Sequence, residues 1–253
     1  ALFGGMPAYL ISVRYDANIF TKVLSFIHFL CDRPANFIFM YLLGFYITLL
    51  AFKIDPWLSI AGALAFAFSS YFFIIIEAGH SSKANAIGYM APIIAGVYLA
   101  YNKKILLGAV ITGFFLAIQI LVNHLQITYY TFLIILVFGI FQFIYMFRNK
   151  ELKLFFKATA ALAFVALLAV GSNAGSILNT YEWGKDSMRG KSELTLDDKD
   201  NINKTTGLDK DYATSWSYGK AESFTLLIPN FMGGSSHGEL STSSDTYEML
   251  KQG

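Results

Sequence analysis

The chain reads as a succession of long apolar runs separated by short polar turns. Six runs reach or approach the length of about 17 to 25 residues that a helix needs to cross a hydrocarbon core of roughly 30 Å. They are 34–52, 57–76, 84–101, 105–122, 127–147 and 154–172. The third is the weakest and holds Pro92. All are apolar around their whole circumference, which suits lipid better than a water-facing bundle. Lipid offers no partner to backbone N–H and C=O groups, so such runs are expected to be helices. The alternation of a membrane barrel is absent.

The flanking segments differ. Within 18–31, Ile19, Phe20, Val23, Leu24, Ile27 and Leu30 fall at helical spacing, while Lys22, Ser25 and Asp32 lie elsewhere on the wheel. That pattern predicts an amphipathic helix, which fits lying in the membrane interface and packing on the bundle equally well. Residues 173–253 are polar. Their start, 173–190, can continue the sixth helix outward, and 191–210 predicts a loop. Residues 223–231 turn apolar again, as a segment folding back to the membrane or approaching a further span. No internal repeat is visible. The expected fold is all-α, a polytopic membrane helix bundle of about six transmembrane helices. Residues 1–33 form an extracytoplasmic loop and interfacial helix, 34–172 the bundle, and 173–253 an extracytoplasmic segment.

Composition agrees. The 253 residues are 55% hydrophobic and only 14% charged, against roughly 25% charge in a soluble domain. A formal net charge of +2 gives no reason to expect a nucleic-acid partner. Cys31 is the single cysteine, which excludes an intrachain disulfide and a cysteine metal cluster. The chain opens at Ala1 and closes at Gly253 without a visible signal peptide, and it reads as a fragment.

Lysine and arginine set the orientation. Lys53, the pair Lys103 and Lys104, and the group Arg148, Lys150 and Lys153 occupy alternate turns, and Lys157 can snorkel toward the last group. Those turns are expected on the cytoplasmic side of the membrane. The opposite turns hold only Lys83 between them.

Candidate chemistry collects on the outward side. One turn reads Glu77-Ala78-Gly79-His80-Ser81-Ser82-Lys83-Ala84-Asn85, and the next reads Asn123-His124-Leu125-Gln126, followed by Thr128, Tyr129 and Tyr130. Ionisable groups at membrane depth are functional candidates, although water reaches an interfacial turn. Glu77 and His80 lie one helical turn apart, and with His124 they offer a possible divalent metal set. A phosphate cradle fits better, with positive charge from Lys83 and His80 and free N–H groups at a helix start near Ala84. Asn123, Gln126, Tyr129 and Tyr130 offer hydrogen bonds and ring faces to a sugar or headgroup. The plainer reading is that these side chains only solvate helix ends. Arg14 and Arg189 are further candidate anion ligands. No glycine-rich phosphate loop, Ser-His-Asp order or HExxH pattern is present.

Several blocks in order resemble a known family. They are Gly4-Gly5-Met6-Pro7-Ala8-Tyr9, the Glu77–Ala84 turn, and Asn123-His124 followed by Gln126, Thr128, Tyr129 and Tyr130. Further along come Arg189-Gly190-Lys191-Ser192-Glu193-Leu194-Thr195, Thr206-Gly207-Leu208-Asp209-Lys210 and Phe231-Met232-Gly233-Gly234-Ser235. Together these resemble the YfhO-like membrane proteins of the Bacteroidetes type, over nearly the whole chain. That family is similar to the C-type glycosyltransferase fold. The resemblance implies an enzyme that takes a sugar from a polyprenyl-phosphate carrier and passes it to an acceptor hydroxyl on the extracytoplasmic face. It also implies a catalytic carboxylate in the first outward loop, which would precede Ala1. Glu77 is then the local candidate for a base. Arg14, His80, Lys83, Asn123, His124, Gln126, Tyr130 and Arg189 are the candidate substrate ligands. A transporter or flippase for a lipid or envelope polymer, and a non-catalytic envelope scaffold, are the competing expectations.

Overall fold

The computed structural model describes residues 18–184 and, in the tail, 214–215, 217, 219–228, 231, 242–243 and 245–251. Among these residues there is no strand. The helices are α1 (Ile19–Leu30), α2 (Ala35–Ala51), α3 (Pro56–Ala67), α4 (Ser70–Glu77), α5 (Ser81–Gly88) and α6 (Met90–Tyr101). Then come α7 (Ile105–Leu121), α8 (Leu125–Arg148), α9 (Leu152–Ser172) and α10 (Ala174–Gly184). The tail adds a 3-10 turn, Glu222–Leu226, and α11 (Asp245–Lys251).

Three of the described helices, or four units if the bent pair counts as one span, are long and apolar enough to cross a membrane. The three are the continuous unit Ser81–Tyr101, α8 and α9, and α3 with α4 makes the fourth unit, bent by 43°. Helices α2 and α7 are equally apolar but have 17 residues each, or about 26 Å at 1.5 Å per residue. The Ser81–Tyr101 unit is 83% buried over its apolar window, against 11% for α8 and for α9. It is therefore the central post, and α8 and α9 turn most of their surface outward.

The bend in the second apolar run has a local cause. Asp55 caps α3, its Oδ1 accepting from the N–H groups of Trp57 and Leu58, with Pro56 in the first turn. The helix stops at Ala67 and restarts after Ser69, whose backbone is extended. Paired small polar residues such as Ser69 and Ser70 are a common seat of helix kinks. The hydroxyl of Ser70 donates to the carbonyl of Leu226, so the tail's 3-10 turn docks at this break. The apolar 223–231 stretch thus folds back onto the bundle at Leu226.

Small residues let the central helices close up. A β-carbon on Gly44 would stand 2.9 Å from the Gly88 carbonyl oxygen and 3.1 Å from Pro92 Cδ. Gly96 on α6 and Gly108 on α7 meet backbone to backbone, next to Ala100 and Thr112. Such small-residue seams bring membrane helices within van der Waals reach of each other's backbones. Helix α1 packs on the bundle through Phe20, Val23, Leu24 and Ile27, and the Phe20 and Phe114 rings meet edge to face at 5.9 Å. Its other side leaves Phe26 60% and Phe29 84% exposed. The helix packs on the bundle, as one of the two expectations had it, with its other face apolar and open. Residues 174–184 form a separate helix, α10, after a break at Asn173.

The turns sort to two ends. Residues of the 53, 102–104 and 149–151 turns line one cavity. At the other end, Ser82 after α4 meets His124 after α7 at 3.4 Å.

Candidate functional site

At the histidine-bearing end, α4 closes on Ala78 and the left-handed Gly79 (φ +75°). The N–H of His80 returns to the carbonyl of Ile75, closing the helix, and α5 starts at Ser81. The N–H of Ala84 is already bonded to the His80 carbonyl, so the start of α5 lies at Ser81, ahead of the expected Ala84. The α7–α8 turn is similar, with Asn123 left-handed (φ +58°) and His124 preceding α8.

Between the bent α3–α4 pair, the α5–α6 post and α8 lies a pocket of about 550 Å³. That falls within the roughly 300 to 1,000 Å³ common for small-molecule sites. Its walls are mostly apolar, including Phe45, Phe66, Phe72, Ile87, Met90 and Ile134. Its polar groups are Lys83, Gln126, Tyr130 and Tyr71. Lys83, Gln126 and Tyr130 sit toward the histidine-bearing end, and Tyr71 stands just after the α3–α4 break. Lining positions on α8 run from 126 to 134 and on α5–α6 from 83 to 94. At 1.5 Å per residue the slot runs about 12 to 16 Å along the helices, close to one leaflet's depth.

The polar mouth is organised. Lys83 Nζ stands 5.3 Å from the centroid of the Tyr71 ring, whose face attracts the ammonium. Gln126 Nε2 donates to Tyr130 Oη at 2.7 Å, fixing one turn of α8. The Tyr130 hydroxyl hydrogen and the second Gln126 N–H are available to a ligand. His124 Nδ1 lies 3.4 Å from Ser82 Oγ and couples the two turns beside the mouth.

The structure brings together Lys83, Gln126 and Tyr130, with His124 adjacent. It does not bring in the others. Asn123 Nδ2 donates to Thr180 Oγ1 of α10 instead of lining the pocket. Glu77 and His80 are exposed and are not among the lining residues. Among the described residues no carboxylate lines the pocket, and its one charged lining group is the Lys83 ammonium. Among the described residues no three of His, Cys, Asp and Glu converge as metal ligands, so Glu77, His80 and His124 do not form the metal set considered above. Arg14 and Arg189 lie outside the described residues.

Tyr71 and a buried polar layer below the histidine-bearing turns were not expected from the sequence. Gln119 is fully buried on α7, and its Nε2 donates to the Ala86 carbonyl and to Thr131 Oγ1. Tyr41 Oη donates to the Ala84 carbonyl at 2.7 Å. Both tie α5, which carries Lys83, to neighbouring helices. A lone amide inside an apolar run was the available signal for Gln119.

Comparison with known protein families, with characterised proteins and with solved structures finds no match to this chain.

Proposed function

We propose that the chain is the carrier-binding part of a membrane glycosyltransferase that uses a polyprenyl-phosphate-linked sugar on the extracytoplasmic face of a bacterial inner membrane. In this reading α2, α3–α4, α5–α6, α7, α8 and α9 are six spans. The lysine turns face the cytoplasm, as the charge bias of short loops favours. The supporting observation is the slot itself, apolar along one leaflet's depth and closed at its outer end by Lys83, Gln126 and Tyr130. A polyprenyl tail fits the apolar walls, and its phosphate meets the Lys83 ammonium and the donors of α8. The C-type resemblance supplies the transfer step, with Glu77 a local candidate for a base.

The test is binding of a fluorescent polyprenyl phosphate to the protein in lipid nanodiscs. Saturable binding is expected, weakened about tenfold by Lys83→Ala and less by Tyr130→Phe. Binding unaltered by Lys83→Ala removes the slot as the carrier site.

One observation favours a second reading. The 43° break between α3 and α4 falls near the middle of its apolar run, and broken helices at mid-membrane are a mark of transporters. A lipid transporter or flippase would move the fluorescent lipid between leaflets of sealed vesicles, which a glycosyltransferase would not. A scaffold would tolerate replacement of Glu77, His80, Lys83 and His124 alike.

A further inference from the structure

The opposite end of the bundle holds a second cavity, of about 640 Å³, with a different chemistry. It lies among the α2–α3, α6–α7 and α8–α9 turns and is lined by Lys53, Lys103, Lys104, Asn102, Asn149 and Glu151. Leu99 and Met146 stand among its apolar lining. Three lysines face one carboxylate.

That carboxylate is committed. Glu151 Oε1 lies 2.9 Å from Lys103 Nζ, the one ion pair among the described residues. Lys53 and Lys104 therefore stand in the same cavity with no carboxylate at ion-pair distance among the described residues. The side-chain amides are preset as well. Asn102 Nδ2 donates to the Tyr98 carbonyl and Asn149 Nδ2 to the Tyr145 carbonyl, each at 2.9 Å. Each amide keeps a second N–H for another acceptor.

Lys53 (φ +62°), Lys103 (φ +70°) and Lys150 (φ +59°) each follow a helix end in a left-handed position, where glycine is the usual occupant. Lys150 lies outside the cavity lining, so this conformation belongs to the helix ends, and the site rests on the lining and on the two lysines that no described carboxylate neutralises.

We infer that this lysine-lined cleft is a binding site for a phosphate-bearing anion, held by Lys53 and Lys104 with the Asn102 and Asn149 amides. This site is separate from the slot at the other end and stands or falls without it. The phosphate has two possible sources, the headgroup of an anionic glycerophospholipid in the adjoining leaflet or a soluble phosphate compound.

The experiment uses the purified chain in nanodiscs. One arm compares discs of phosphatidylcholine with discs containing phosphatidylglycerol, and reads the thermal midpoint and the lipid retained in native mass spectrometry. The other adds inorganic diphosphate to phosphatidylcholine discs. A raised midpoint in the first arm assigns the lipid headgroup and in the second the soluble anion, and either supports the site. The paired variant Lys53→Gln with Lys104→Gln is expected to weaken that binding by about fivefold per lysine. Lys150→Gln removes a charge from the same end without touching the cavity lining, and is expected to leave binding unaltered. Glu151→Gln frees Lys103 and is expected to tighten binding, which keeps the test decisive if the paired variant does not fold. The inference is overturned if neither anion shifts the midpoint, if Lys150→Gln weakens binding as much as the paired variant, or if Glu151→Gln leaves binding unaltered or weaker.

Discussion

Gly108 on α7 lies against Gly96 and Ala100 on α6 so closely that a β-carbon on it would overlap the Gly96 carbonyl oxygen and the Ala100 nitrogen. The obstacle is backbone on both sides and cannot turn away as a side-chain tip would. Gly108→Val is therefore expected to separate the α6–α7 pair and cost about 1 to 3 kcal/mol or more. Gly139 on α8 has no heavy atom within 4 Å of the equivalent position, so Gly139→Val should leave packing intact. Thermal unfolding in one detergent, followed by monodispersity on a sizing column, checks the pair. Equal midpoints for the two variants would refute the seam.

Gln119 holds α5 and α8 together from inside the bundle. Gln119→Leu keeps similar bulk but removes the donor to the Thr131 hydroxyl and one donor to the Ala86 carbonyl, which the Tyr89 N–H still serves. Thr131 Oγ1 still donates to the Ile127 carbonyl, which limits the loss. The expected cost is about 1 to 3 kcal/mol. Because α5 carries Lys83, carrier binding at the slot is expected to fall along with the midpoint. Lys83→Ala should lower binding alone.

The pair of Lys103 and Glu151 titrates in a known direction. The hydrogen bond and the charge of Glu151 raise the Lys103 ammonium above the ordinary lysine value. A raised folded-state value means that the pair stabilises the fold fully below the ordinary lysine value, and that this is lost as pH rises through the raised one. Wild type should thus exceed Lys103→Gln in thermal midpoint near neutral pH. The two curves should converge at strongly alkaline pH. Both side chains are well exposed, so the difference should also shrink in high salt.

Sidedness is measurable directly. In a Cys31→Ser background, a single cysteine at 80 should react with an impermeant maleimide added to spheroplasts, and one at 150 should react only after permeabilisation. The reverse pattern would invert the proposed orientation and move the slot to the inner leaflet.

Much of the frame is legible in the sequence because lipid imposes a strong length and hydropathy signal. The run 105–122 became Ile105–Leu121, and 127–147 became Leu125–Arg148. The break at Ser69 was not legible, since hydropathy is unchanged across it and only the serine pair marks it. The site was legible where a charge or amide stood in a turn, as at Lys83 and Gln126. It was hidden where the residue looked lipid-compatible, as Tyr71 did, or where direction mattered. Asn123 and Gln126 are three residues apart, yet the left-handed Asn123 binds Thr180 while Gln126 lines the slot. The likeness of the Tyr98–Lys103 and Tyr145–Lys150 turns, each Tyr-x-x-x-Asn-Lys with the same amide cap, emerges only once both are seen bonded alike.

The α3–α4 interruption makes one wall of the slot a jointed one. A continuous helix can be tilted only as a rod, but two short rods meeting at serines can swing without rupturing an intact ladder of backbone bonds. The Ser70 hydroxyl, by holding Leu226, fastens the tail's 3-10 turn at that joint, one residue from the Tyr71 and Phe72 side of the slot.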